Sequence, residues 1–189
     1  MRRTVFLDRD GTLNREVGFV SQPHQLEVLA GVVPALQLLH DADYRIVVLT
    51  NQSGIARGLY SESDLARVHA VLHDRLRGLP EAYLHCPHHP DANGEYGGAC
   101  ACRKPAAGLL HQARELLGVE FTGGVLIGDS ARDLLMAKGL PLRTVYLHSG
   151  KPVSAELAML QKAGHVPDHE ADDLASAVAW LLGPARTSA

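Results

Sequence analysis

Five short apolar runs, at Thr4–Leu7, Arg45–Thr50, Ala82–Cys86, Gly124–Ile127 and Thr144–Leu147, recur along the chain with helix-patterned segments between most of them. This alternation constrains the fold more than any other feature. The run Arg45-Ile46-Val47-Val48-Leu49 is almost continuously apolar, as a strand must be when helices cover both faces of its sheet. Helices are expected at Val33–Asp41, at Ser61–Arg77 behind a capping box Ser61-Glu62-Ser63-Asp64, and at Ala106–Leu117 with Pro105 at its start. Three more are expected at Ala131–Lys138, Ser154–Ala163 and Ala171–Leu182. The fold class that follows is α/β: a doubly wound, Rossmann-like parallel sheet sandwiched by helices.

Composition narrows the setting. With 189 residues, 46% of them hydrophobic, the chain is expected to form a single domain over residues 1–183, with a frayed tail at 184–189. No window carries ~18 consecutive apolar residues and no signal-like segment opens the chain, so the expectation is a cytoplasmic protein with no membrane partner. The net charge of -3, without a Lys/Arg-rich block, argues against a nucleic-acid partner. Three cysteines, all within residues 86–102, point to metal binding or free thiols instead of a disulfide framework.

Ligands of open α/β sheets bind beyond the carboxyl ends of the strands, so the residues that follow each run carry the functional information. After the first run comes Asp8-Arg9-Asp10-Gly11-Thr12. Two carboxylates ~4 Å apart repel by about 4 kcal/mol at an effective dielectric of ~20, a cost that a divalent cation removes. The pair reads as a metal-assisted site or, taken alone, as a solvated turn. After the second run stand Thr50-Asn51-Gln52-Ser53-Gly54, and after the fourth Gly128-Asp129-Ser130, with Asp133 four residues beyond Asp129. Lys104 precedes Pro105; if the proline opens a helix, the ammonium and the free helix amides could face one anion, with phosphate the natural guest. Three carboxylates, a hydroxyl and a lysine at one edge suit a hard cation and a phosphoryl group together.

Together, Asp8–Thr12, Leu49–Gly54, Lys104-Pro105 and Gly128–Asp133 resemble the four signature motifs of the haloacid dehalogenase-like phosphatases, in the family's order and over residues 4 to about 150. The strings Thr50–Gly58 and Cys86–Pro105 are similar to one branch, the D-glycero-D-manno-heptose 1,7-bisphosphate 7-phosphatases and histidinol-phosphate phosphatases. The resemblance implies that Asp8 is the nucleophile forming an aspartyl-phosphate. It implies that Asp10 is the acid/base, a role suited to a carboxyl of raised pKa. Mg²⁺ would be held by the Asp8 and Asp129 side chains and the Asp10 backbone carbonyl. Thr50 and Lys104 would hold phosphoryl oxygens, and Asp133 would orient Lys104 or a metal-bound water.

Cys86-x-His88 and Cys100-x-Cys102 offer three thiolates and an imidazole, enough for one tetrahedral structural Zn²⁺, and the resemblance selects His88 over its neighbour His89. Such a metal would pin the Gly/Asn-rich segment 91–98 and position Arg103 and Lys104. Neither gap where the family inserts a cap domain is large enough here, so a capless cleft is expected, roofed by Glu16, Val17, Gly18 and Phe19 and by the zinc loop. Asn51, Gln52, Ser53, Arg57 and Arg103 are the candidate contacts to the rest of a phosphorylated sugar substrate. The enzyme is expected to act as a monomer. Two positions depart from the branch: Asp43 stands where Gly often precedes the second strand, and His148-Ser149-Gly150 follows the fifth run where Thr-Gly is commoner. Competing readings are a histidinol-phosphate phosphatase and a zinc-dependent nucleic-acid module. Kinase chemistry is disfavoured because no Gly-x-x-x-x-Gly-Lys-Ser/Thr loop is present.

Overall fold

A computed structural model describes residues 2–183, so the expected tail at 184–189 lies outside the described residues. The strands are β1 (Thr4–Leu7), β2 (Arg45–Asn51), β3 (Ala82–Cys86), β4 (Gly124–Gly128), β5 (Leu142–Leu147) and β6 (His169–Ala171). They form one sheet in the order β3-β2-β1-β4-β5-β6, with every pairing parallel. The chain winds outward from β1 to β3, returns to β4 beside β1, and winds outward again. The switch point therefore lies between the carboxyl ends of β1 and β4.

The pleat divides the core. Val5 and Leu7 join Ile46, Val48, Val125, Ile127 and Val145 on one face, beneath α1 (Val32–Asp41), α2 (Glu62–Arg75) and α6 (Leu174–Leu182). Phe6, Val47, Leu49 and Leu126 turn the other way, towards α3 (Gly108–Leu117), and Tyr146 packs with α4 (Ala131–Leu135) and α5 (Val153–Lys162). Each β1 residue is buried, because both faces of this central strand are covered.

One strand and three helix boundaries differ from the sequence expectation for identifiable reasons. β6 was not anticipated: its His-Glu-Ala sequence has little strand propensity, and it is a strand only because β5 offers a parallel edge. Helix α6 accordingly starts at Leu174 and not at Ala171, with the Asp173 side chain capping the Ser176 amide. α4 stops at Leu135, short of Lys138. α3 begins at Gly108, and Pro105, joined to Lys104 by a cis peptide, does not open it. The Ser61 and Asp64 capping box forms as read. Asp43 adopts φ 60, the left-handed conformation that favours Gly, and its carboxylate pairs with Arg2 Nε at 2.6 Å.

Candidate active site

The strand ends converge. The Asp8 amide donates to the Ile127 carbonyl at 3.0 Å, extending the β1–β4 ladder by one residue and holding Asp8 beside the turn that carries Asp129. Asp133 lies in the first turn of α4. Its Oδ2 accepts from the Ser130 amide at 3.1 Å and from Ser130 Oγ at 2.6 Å, which leaves Oδ1 to face Lys104. Gly128 makes this approach possible, since a Cβ there would lie 2.6 Å from the Asp133 Cβ.

Lys104 Nζ donates to Asp8 Oδ1 at 2.5 Å and to Asp133 Oδ1 at 2.8 Å, with only 3% of the lysine exposed. Its backbone is fixed from the second strand, where Asn51 Oδ1 accepts from the Lys104 amide at 3.1 Å. The expected partnership between Lys104 and helix amides is therefore corrected: α3 starts four residues later, and the ammonium is placed by two carboxylates.

Asp8, Asp129 and Asp133 each bring a carboxylate oxygen within 4.8 Å of the others. Burial and then the Asp133 charge push the Asp8 carboxyl up to about 7, with Lys104 opposing. Burial, Asp8 and Asp133 push Asp129 up to about 8. Asp129 Oδ2 is buried and has no hydrogen-bond donor among the described residues. Two glycines make its space: a Cβ on Gly11 would lie 2.2 Å from that oxygen and one on Gly150 only 1.7 Å. An oxygen-only donor set, excess negative charge and an undonated buried carboxylate oxygen fit a hard divalent cation such as Mg²⁺. Gly150 belongs to the variant segment His148-Ser149-Gly150, and Ser149 Oγ donates to the Gly11 carbonyl at 2.6 Å, tying this loop to the turn after β1.

Asp10 faces elsewhere. Arg9 Nη2 donates to both of its oxygens at 2.8 Å, Asn14 Nδ2 donates to Oδ1 at 2.9 Å, and Gln52 Nε2 donates to Oδ2 at 3.0 Å. Burial alone would raise its pKa, but the Arg9 charge and these hydrogen bonds outweigh burial and hold the carboxyl below its ordinary range. The raised pKa expected for Asp10 is thus corrected, because its neighbours solvate the charged form. The carboxylate repulsion inferred from the sequence is also relieved locally, by Arg9 on Asp10 and Lys104 on Asp8. Gln52 additionally donates to Thr50 Oγ1 at 2.8 Å and accepts from the Tyr60 hydroxyl at 2.6 Å, so it braces the second strand's end.

One cavity gathers the carboxylates, Thr50 and Lys104. Asp8, Asp10, Thr50, Lys104, Asp129 and Asp133 line it, with Glu16, Gly18, Phe19, Asn51, Gln52, Ser53 and Arg103 around them. Val17 and Arg57 do not line it: Val17 is 48% exposed, and Arg57 Nη2 lies 2.8 Å from His89 Nε2 at the surface. No residue of 86–102 reaches the cavity wall, so the Cys/His loop is not a roof. Two further lining residues, Tyr60 and Lys151, escaped the sequence reading, and Ser130 and Arg132 of the Gly128–Asp133 string, to which it gave no role, also line the cavity. Lys151 follows β5 as the motif residues follow their strands, so the strand-end rule could have found it. Its Nζ donates to Glu16 Oε2 at 3.1 Å, joining the segment between β1 and α1 to the opposite rim.

The Cys/His loop closes on itself behind β3. Cys86, Cys100 and Cys102 Sγ lie 3.1–3.5 Å apart, and His88 Nδ1 lies 3.4 Å from Cys102 Sγ and 3.8 Å from Cys86 Sγ. A tetrahedral zinc with Zn–S of about 2.3 Å has ligand edges of roughly 3.7 Å, close to this spacing. All three cysteines are free thiols. His89 is turned away, accepting from the Asp91 amide at 3.2 Å. Arg103 Nη1 donates to the His88 carbonyl at 3.1 Å, so the loop and a cavity cation share a hydrogen bond.

Comparison with known proteins agrees with this geometry. The family described as HAD-hydrolase-like matches residues 101–177. The D-glycero-beta-D-manno-heptose-1,7-bisphosphate 7-phosphatase of Pasteurella multocida is 40% identical over 160 residues, spanning 82% of this chain and 87% of the relative. Its namesake from Haemophilus ducreyi is 39% identical over 160 residues, spanning 82% and 88%. The crystal structure of the D,D-heptose 1,7-bisphosphate phosphatase from B. bronchiseptica, complexed with magnesium and phosphate, superposes with a TM-score of 0.82 at 33% identity, covering 95% of this chain and 98% of that one. This chain belongs to the haloacid dehalogenase-like phosphatases, in the group that contains the heptose-bisphosphate 7-phosphatases.

Proposed function

We propose that this protein removes the 7-phosphate of D-glycero-D-manno-heptose 1,7-bisphosphate, and that it does so through an aspartyl-phosphate formed on Asp8. The observation that carries the reading is the position of Asp8 at the switch point, 2.5 Å from the Lys104 ammonium and beside the undonated Asp129 oxygen. Asp8 and Asp129 would hold Mg²⁺, with the Asp10 backbone carbonyl as a third ligand. When bound, the ion neutralises charge shared by the carboxylates and the phosphoryl oxygens.

In the first step an Asp8 oxygen bonds to phosphorus while the bond from phosphorus to the sugar oxygen breaks. Lys104 and Thr50 hold the phosphoryl oxygens, and Asp10 gives its proton to the departing alkoxide. In the second step Asp10 takes a proton from water, the water oxygen bonds to phosphorus, and Asp8 is released. The Arg9 fork favours ionised Asp10, the form that the second step needs. The proton that Asp10 takes from water in the second step is the one it gives to the leaving oxygen in the next turnover. Arg103, Arg132 and Lys151 on the rim exceed what one phosphoryl centre requires, and they favour a substrate with a second phosphate.

Zn²⁺ in the Cys86, His88, Cys100 and Cys102 cluster is the structural counterpart in this reading. Cytoplasmic, monomeric action belongs to the same proposal. Among the described residues no helix is long and apolar enough to cross a membrane. The test is phosphate release from both anomers of the bisphosphate and from histidinol phosphate. A kcat/KM at least ~100-fold higher for a bisphosphate anomer is expected, and a preference for histidinol phosphate would overturn the assignment.

A further inference from the structure

Arg9 lies between the two strand-end carboxylates and is buried, with 1% of its surface exposed, although it carries a full charge and five donors. Nε and Nη2 are used by Asp10, at 3.2 Å and 2.8 Å to each oxygen. The remaining nitrogen, Nη1, lies 3.2 Å from Nε2 of His69 on α2. A guanidinium has no acceptor, so this contact is a hydrogen bond only if His69 is neutral with its lone pair on Nε2. The surroundings enforce that state: burial and then the Arg9 charge push the His69 pKa down to about 3.

The imidazole is itself held in place. Its ring stacks on Tyr83 of β3 at 5.1 Å and 29°, and meets His85 edge-on at 6.1 Å. His85 Nε2 lies 2.7 Å from Glu62 Oε2, at the start of α2. Asp10, Arg9, His69 and their β3 neighbours thus form one chain of contacts from the cavity to the helix behind it. Among the described residues, none of these side chains hydrogen-bonds to Asp8, Asp129 or Asp133, or to the four Cys/His residues.

We propose that His69 is a positioning residue for Asp10: by accepting from Arg9 Nη1 it fixes the plane of the guanidinium, which in turn sets the direction of the Asp10 carboxyl towards the leaving oxygen. The inference rests on the acid/base reading of Asp10. Its consequence is a selective one. Protonation matters when the leaving group is a sugar alkoxide and not when it is p-nitrophenolate, which departs without a proton.

The experiment compares first-turnover release of the leaving group from heptose 1,7-bisphosphate and from p-nitrophenyl phosphate. His69→Leu is expected to slow release from the bisphosphate about tenfold, with KM within twofold, and to leave release from p-nitrophenyl phosphate within twofold. His69→Gln, whose amide oxygen reaches the same position, should recover the bisphosphate rate to within about threefold, whereas His69→Asn, one carbon shorter, should not. This polar pair decides the question if His69→Leu does not fold. Equal loss on both substrates, or Gln and Asn behaving alike, would overturn the proposal. Asp10→Asn separates the two levels of the argument. If it slows both substrates equally, the acid reading of Asp10 fails and His69 falls with it. If it is selective and His69→Leu is not, only the role of His69 fails.

Discussion

The carboxylate cluster and the Cys/His cluster each gather residues that can ligate a metal, but they are assembled in opposite ways. Asp8, Lys104 and the Asp129/Asp133 pair come from three places far apart in the chain and are brought together by the strand order and by the hydrogen bonds that hold Lys104. They are buried, and glycines at 11, 128 and 150 leave the room they occupy. Cys86 at the end of β3 and His88, Cys100 and Cys102 in the loop that follows come from one short stretch, whose intervening residues 91–98 make few internal hydrogen bonds beyond a turn at Gly94–Gly97. The difference teaches which cluster precedes its metal. The first is built by the hydrophobic sheet and presents an excess of charge to an ion, while the second rests on its own loop and, in the reading proposed above, would gain further order from Zn²⁺.

Breaking the first cluster from its cationic side should have the largest effect on stability. Lys104→Met leaves Asp8 and Asp133 buried without their ammonium and is expected to cost about 3–5 kcal/mol in denaturant unfolding, together with loss of turnover. A variant as stable as the parent would show that the pair contributes nothing to the fold. The second cluster should respond differently. Cys100→Ala, or zinc chelation, is expected to lower turnover on the order of tenfold through the link from the His88 carbonyl to Arg103, while Mg²⁺ affinity stays within twofold. Loss of Mg²⁺ binding would mean that the two clusters are not independent.

Acid–base linkage gives a smaller, signed effect. Without metal, folded Asp8 and Asp129 retain protons that the unfolded chain gives up near pH 4, because their carboxyls are raised to about 7 and about 8. The folded state then binds more protons than the unfolded state over that window, so metal-free stability should fall as pH rises through it. Mg²⁺ must displace the same protons, and its affinity by calorimetry should rise with pH up to about 8. A flat profile would contradict the buried-carboxylate account. His69 runs the other way: its folded pKa is depressed to about 3, so the unfolded chain binds the proton first and stability is lost as pH falls below 6.5. Near pH 5.5 the parent should be less stable than His69→Gln, relative to the pair at pH 8, by roughly 1.4 kcal/mol.

What the sequence made legible follows the same division. The five principal strands and the residues just beyond them were readable because β-branched apolar runs and strand-end polar groups are local signals. Two features were hidden by distance in the chain. β6 exists only as a partner for β5, and Asp10 has a lowered pKa partly because Gln52, 42 residues away, reaches it beside the nearby Arg9 and Asn14. Lys104 was singled out from the sequence and lines the cavity, but its placement by Asn51, Asp8 and Asp133 could not be read from the neighbouring proline.

The central claim is that Asp8 takes the phosphoryl group. Acid-quenched mass spectrometry during turnover of heptose 1,7-bisphosphate tests it directly. The account predicts a phosphoryl adduct on the peptide carrying Asp8, absent in Asp8→Asn, which should turn over at least ~10⁴-fold more slowly while keeping its fold. Turnover by Asp8→Asn at a rate near the parent's, or an adduct on a different residue, would contradict it.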